Sequence, residues 1–210
     1  MPAGGRFFHG IEYGTNMNES EKAAAGLLYD ANYDQELLRR RDAAKAQTFA
    51  YNHTHPGEQA ARRRILESLL GRVGDNITIE GPFFCDYGFN IEVGENFYAN
   101  VNCVVLDGAK VTIGHNVFIA PNVGIYTAGH PLDVDRRNQG LEYARPVTIG
   151  DNVWIGAGVC ILPGVSIGAN SVIGAGAIVL HDVPESVLAA GNPARVIRAI
   201  SEEDKMRYAD

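Results

Sequence analysis

From Val147 to Asp182 the chain reads VTIGDN, VWIGAG, VCILPG, VSIGAN, SVIGAG and AIVLHD, six consecutive blocks of six residues. An aliphatic residue stands third in every block, at Ile149, Ile155, Ile161, Ile167, Ile173 and Val179, and the fourth residue is usually glycine. A period of six is neither the ~3.6 of a helix nor the alternation of a strand; fixed periodicity of this kind marks stacked repeats. Each block reads as a short flat strand with one inward side chain, followed by a tight turn for which glycine is suited because it accepts positive φ. One such block cannot bury its single apolar residue alone, so each coil depends on the coils above and below it. The fold class is therefore an all-β solenoid.

The same frame runs backwards through 111–128 (VTIGHN, VFIAPN, VGIYTA), 91–108 (IEVGEN, FYANVN, CVVLDG) and, more loosely, 77–88 (ITIEGP, FFCDYG). Two-residue slips fall at Phe89-Asn90 and Ala109-Lys110. Three blocks make a triangular coil, giving four full coils and a partial first one. Residues 129–146, GHPLDVDRRNQGLEYARP, fit no block and leave the coil directly after YTA. Long loops inside compact repeats are disproportionately functional.

Ahead of the solenoid, Asn18-Glu19-Ser20-Glu21 has the spacing of a capping box opening a helix through Leu28. Asp34 caps a second helix through about Phe49, and Pro56 sits in the first turn of a third that ends at Gly71. Such helices would cover the open first coil, whose edges need blocking. The organisation read from sequence is an unassigned leader at 1–16, a helical section at 17–74, a solenoid at 75–188 with the inserted loop 129–146, and a tail at 189–210.

The 210 residues include 46% hydrophobic residues and 24 glycines, which fits a compact domain rich in turns. No apolar run approaches membrane-spanning length and no signal-peptide pattern is present, so the reading is of a protein without membrane insertion. The net charge of -7 argues against a nucleic-acid surface. Cys85, Cys103 and Cys160 neither pair evenly nor show CxxC spacing, and are read as reduced side chains of a cytoplasmic protein.

The segments AGLLYD (25–30), YNHTHP (51–56), CDYGFNIEVGENFYANVNCVVLD (85–107), IYTAGHP (125–131), PVTIGDNVWIGAG (146–158) and AAGNPARVIR (189–198) resemble the hexapeptide-repeat acyltransferases of the maltose and galactoside O-acetyltransferase group. The resemblance covers Glu21 to Ile200 and is nearer the maltose enzymes at CDYG, NCVVLD and YTAGHP. It implies a left-handed parallel β-helix, an exception to the usual right-handed crossover. It also implies a homotrimer with sites between subunits, acetyl-CoA as co-substrate, no metal, and a sugar hydroxyl as acceptor.

Transfer of acetyl from a thioester to an alcohol requires a base that titrates near neutrality, and imidazole does. His130 stands where the strict repeat breaks, and the resemblance makes it the catalytic base. His115 occupies a solvated turn, His53 and His55 lie between helices, and His9 is in the leader. For the acceptor, Asp86, Asn100 and Asp107 match or adjoin the group's sugar contacts, Arg40 matches a further one, and Tyr98 supplies an apolar wall, as Phe118 also would. The galactoside enzyme has serine at the position of Asp86 and an acidic residue at that of Gly108. For the cofactor, Ala157 and Ala175 would admit a pantetheine arm closely, and Leu180 and His181 match contacts where the group commonly has Thr-Lys. Arg195 and Arg198 suit the nucleotide phosphates. No cysteine has a histidine partner in local sequence, so the transfer is read as direct. Two other classes compete: a γ-type carbonic anhydrase, which would need three histidine ligands including a close H-x4-H pair, and a non-catalytic sugar-binding or assembly solenoid.

Overall fold

The computed structural model describes residues 17–206; the leader 1–16 lies outside the described residues. Three parallel sheets wind around one axis as the walls of a triangular prism. Wall one stacks Arg72–Val73, Ile91–Val93, Val111–Ile113, Val147–Ile149 and Ser166–Ile167. Wall two stacks Thr78–Ile79, Tyr98–Ala99, Phe118–Ile119, Trp154–Ile155, Val172–Ile173 and Val187–Ala190, and ends in the antiparallel Arg195–Ala199. Wall three stacks Phe83–Cys85, Cys103–Leu106, Gly124–Tyr126, Cys160–Ile161 and Ile178–Val179. The third residues of the blocks line up inward, as in Ile113, Ile149 and Ile167 on wall one and Ile119, Ile155 and Ile173 on wall two. All of these are buried in one continuous core.

The solenoid begins before residue 75. GRVGDN (71–76) is itself a block with Val73 third and Gly74 fourth, and Arg72–Val73 pairs with Glu92–Val93. At the other end, Val187–Ala190 pairs with Val172–Ile173 and so crosses the boundary expected after 188.

The fourth-position glycines serve a different purpose from the one their turn setting suggests. Gly94, Gly150 and Gly168 are not among the left-handed residues; a Cβ on Gly168 would stand 2.4 Å from the backbone nitrogen of Glu185 on the next coil. They allow the coils to stack closely. Positive φ falls instead on the sixth residue, which is often asparagine: Asn76, Asn96, Asn116, Asn152 and Asn170 all have φ between 52° and 60°. Asparagine tolerates this conformation and brings a side chain that glycine lacks. The first four of these amides each donate to the next, Asn96 to Asn116 at 2.9 Å and Asn152 to Asn170 at 2.9 Å among them, forming a ladder down one corner.

Helix α1 (Glu19–Ala24) opens on the Asn18–Glu21 capping box and ends earlier than Leu28, because Gly26 turns left-handed at φ 71°. Helix α2 (Gln35–His53) is capped by Asp34, and α3 (Gln59–Leu69) begins after Pro56. Tyr51 of α2 and Leu66 and Leu69 of α3 join the solenoid core at its open end. Polar clamps fix them there. Asn52 exchanges two 2.9 Å hydrogen bonds with the backbone of Phe83, and buried Arg62 donates to the Ile79 carbonyl and the Tyr51 hydroxyl, each at 2.9 Å.

The excursion 129–146 leaves through Ala128–Gly129 and carries the short helix α4 (Val134–Asn138) and Leu141–Ala144. Leu141–Ala144 pairs antiparallel with both Ala128–Gly129 and Tyr29–Asp30, tying the loop to the N-terminal section. Ala23, Tyr29, Ala31, Leu37, Tyr87, Ala109 and Ala144 close a second small core beneath it. The solenoid resumes in register, with Ile113 opposite Ile149.

Candidate active site

The corner at which wall three gives way to wall one collects the polar chemistry. Register stacks Cys85 beside Val105 and Leu106 beside Tyr126, so the segments Asp86-Tyr87, Leu106-Asp107 and Tyr126-Thr127 that follow succeed one another along the corner. The excursion bearing His130 leaves from the third of these steps, and Leu180-His181 turns the same corner farther along the stack.

Asp107 has no exposed surface. Its Oδ1 accepts from the backbone N–H groups of Asp86 (3.0 Å) and Tyr87 (2.8 Å), while Oδ2 is buried without a hydrogen-bond partner. Burial, with a smaller contribution from the nearby Asp86 charge, raises its pKa to about 6. It is therefore placed to shape the Asp86 turn from behind. Asp86 is partly exposed; burial also raises its pKa, against the pull of Arg41. Arg41 lies 4.0 Å from Asp86 through Nε and donates from Nη2 to the Tyr87 hydroxyl (2.9 Å) and the Ala31 carbonyl (3.1 Å).

His130 is half exposed above this group. Its Nδ1 lies 3.0 Å from the Leu141 carbonyl oxygen, which can only accept, so Nδ1 carries the proton and Nε2 presents a lone pair. Glu142 stands 3.8 Å from Nε2 through Oε1 and accepts from the Tyr29 hydroxyl at 3.2 Å through Oε2. An imidazole with its outer nitrogen free can take a proton.

The remaining expected residues stand elsewhere. Asn100, Ala157 and Ala175 turn the next corner, between walls two and three; Tyr98 lies on wall two beside exposed Phe118 and Trp154. Beyond Ala157 and Ala175, Gly158 and Gly176 have open space where a Cβ would stand. This corner is a shallow small-residue track, which fits the close approach of a long thin ligand. Arg195 pairs with Ala190 at its end, and its guanidinium donates to the Ala194 carbonyl. Arg198 is held by Asp204 at 2.6 and 2.7 Å. Arg40 pairs with Glu36 at 2.8 Å and lies over the Phe89 ring, which in turn packs against the Tyr87 ring of the Asp86-Tyr87 turn. Among the described residues no three His, Cys, Asp or Glu side chains converge as a metal-binding group.

Residues 22–74 match the maltose acetyltransferase hexapeptide capping motif, and residues 146–181 match the bacterial transferase hexapeptide family of six repeats. The galactoside O-acetyltransferase of Escherichia coli is 46% identical over 193 residues, covering 92% of this chain and 95% of that protein. The crystal structure of a maltose O-acetyltransferase from Clostridium difficile superposes with a TM-score of 0.86 at 52% identity, covering 89% of this chain and 99% of that one. A galactoside acetyltransferase in complex with coenzyme A gives 0.89 at 46% identity, covering 93% and 97%. The chain belongs to the maltose and galactoside O-acetyltransferase family.

The solenoid of this acetyltransferase is accordingly the left-handed β-helix of hexapeptide-repeat enzymes. Three residues of its candidate site escaped the sequence reading: Arg41, Tyr29 and Glu142. A signal for Arg41 was present, since Leu37, Ala44, Thr48 and Tyr51 are the buried stripe of α2 and Arg41 continues it at a spacing of four and three. Tyr29 and Glu142 meet only through the antiparallel pairing of the excursion with a two-residue strand, which no local pattern announces. No helix among the described residues is long and apolar enough to cross a membrane.

Proposed function

We propose that this protein moves an acetyl group from acetyl-CoA directly to a sugar hydroxyl, with His130 as general base. The observation that carries the reading is the His130 geometry: Nδ1 is committed to the Leu141 carbonyl and Nε2 is free, at a corner lined by the carboxylates Asp86 and Glu142. Nε2 accepts the acceptor's hydroxyl proton as that oxygen bonds to the acetyl carbon; the C–S bond breaks, and the imidazolium returns the proton to the departing thiolate. Carboxylates at the rim suit a polyhydroxylated acceptor, because they accept from its hydroxyls. The track of Ala157, Gly158, Ala175 and Gly176, ending near Arg195, suits pantetheine and phosphate respectively. The relative that binds coenzyme A supports this cofactor.

The two halves lie on different corners of one prism, separated by wall three. We take the working molecule to be a homotrimer in which the His130 corner of one protomer faces the Asn100 and Ala157 corner of its neighbour. His130→Ala should lower kcat by roughly 10²- to 10⁴-fold in a thiol-release assay with a panel of sugars, with little change in acetyl-CoA affinity. Near-normal turnover in that variant would remove His130 from the chemistry, and absence of transfer to every sugar would remove the acceptor class.

A further inference from the structure

Arg195 and Arg198 stand on the same strand of the tail, and the chain treats them differently. Arg195 donates to the neighbouring Ala194 carbonyl and has no carboxylate partner among the described residues. Arg198 is fixed by its backbone, which pairs opposite Leu188, and the Ile200 N–H donates to the Ser186 carbonyl at 2.9 Å just beyond it. The chain then turns through Glu202–Met206 and brings Asp204 back onto the Arg198 guanidinium. Nη1 donates to Oδ2 at 2.7 Å and Nη2 to Oδ1 at 2.6 Å, the two-pronged arrangement that a phosphate would also use. The Ala199 carbonyl also accepts from Nη1, and Oδ2 accepts a second time from the Ser201 N–H. Both partners meet water, with 40% of the Arg198 side chain and 26% of that of Asp204 exposed, and Ser201, Glu202, Glu203 and Lys205 around them are exposed too. Parting the pair therefore opens no core.

We propose that Asp204 is a built-in competitor for a phosphate of acetyl-CoA at Arg198, and that the tail turn swings its carboxylate aside when the cofactor binds. The end fork of the guanidinium is taken by Asp204. The Nε edge is left, but an anion there would lie against the Asp204 charge, with Glu203 also bearing on the same guanidinium, so like charges oppose it until the carboxylate leaves. The carboxylate is not needed to place the arginine, because strand pairing already sets its backbone. Cofactor affinity is thus held below what the two arginines could supply, and Asp204 recloses on Arg198 as the spent coenzyme departs. The inference rests on Arg198 meeting a phosphate of the cofactor.

The test uses the full chain, with calorimetric binding of coenzyme A and with kcat/KM for acetyl-CoA set against acetyl-pantetheine, which carries no phosphate. Asp204→Asn, which keeps the shape and removes the charge, should bind coenzyme A about 2- to 5-fold more tightly, the range in which an exposed ion pair competes. Its kcat/KM with acetyl-pantetheine should equal that of the unaltered chain. In an Arg198→Ala background the same substitution should bring no gain. Unchanged binding in Asp204→Asn would overturn the proposal, and weaker binding would overturn it by showing that the carboxylate serves to position the arginine. A gain that persists undiminished without Arg198 would also overturn it, leaving Asp204 a distant repelling charge. Failure of the underlying assignment would appear separately, as coenzyme A binding in Arg198→Ala as tight as in the unaltered chain, and the proposal would fall with it.

Discussion

Asp107 is buried with one oxygen unmatched, and burial raises its pKa from 3.8 to about 6. A carboxylate whose folded pKa lies above its unfolded value favours folding below the unfolded pKa, and that contribution is lost as pH rises through the folded pKa. Between pH 4 and 7, wild-type stability should therefore fall relative to Asp107→Asn by about 2 kcal/mol, read from denaturant midpoints at the two pH values. A difference independent of pH would show that Asp107 does not titrate in that range. The same residue marks the limit of sequence reading. Its fifth place in CVVLDG is ordinarily a solvent-facing turn position, and it was expected among the sugar contacts; only the covering by the excursion and the N-terminal section buries it. Arg40 and Arg41 illustrate the neighbouring case, where resemblance points to one arginine and the helical stripe points to the next.

Along the walls, six-residue periodicity made nearly every strand legible, because each third residue must face one shared core and a one-residue error would turn it outward. The turns were less legible. Glycine at position four reads as the turn former, yet in the coils it is the sixth residue that adopts positive φ. The two roles are separable by experiment. In Gly168→Ala the new methyl would meet the Pro184 and Glu185 backbone at 2.4–2.7 Å, and the cost should be about 1–3 kcal/mol, with a lowered thermal midpoint. In Gly158→Ala, where φ is 69° and no atom lies within 4 Å, only the left-handed conformation opposes the change, at about 1 kcal/mol. Equal losses at the two sites would contradict this division. The helices behaved similarly: their caps at Asn18 and Asp34 were readable from local chemistry, whereas the reach of Asn52 and Arg62 into the first coil depends on tertiary placement.

For the molecule as a whole, Tyr98, Phe118 and Trp154 form a column on wall two, and Phe118 and Trp154 are more than half exposed. In the proposed trimer this column approaches the neighbour. Trp154→Asp should yield a species of monomer mass by light scattering that keeps its solenoid circular dichroism and loses acetyl transfer; an active monomer of the unaltered chain would refute the shared site. Periodicity identified the prism but could not reveal that the two halves of the candidate site sit on different corners, since a repeat specifies its neighbours along the axis and is silent about partners beside it. The excursion has a wider implication. It spans one coil's worth of residues, departs after Ala128 and returns at Val147 with the frame unbroken, so Gly124 still lies beside Cys160. The segment bearing His130 can therefore be exchanged without disturbing the prism that carries it: a graft of another loop between Ala128 and Val147 would leave every coil seated on its neighbours.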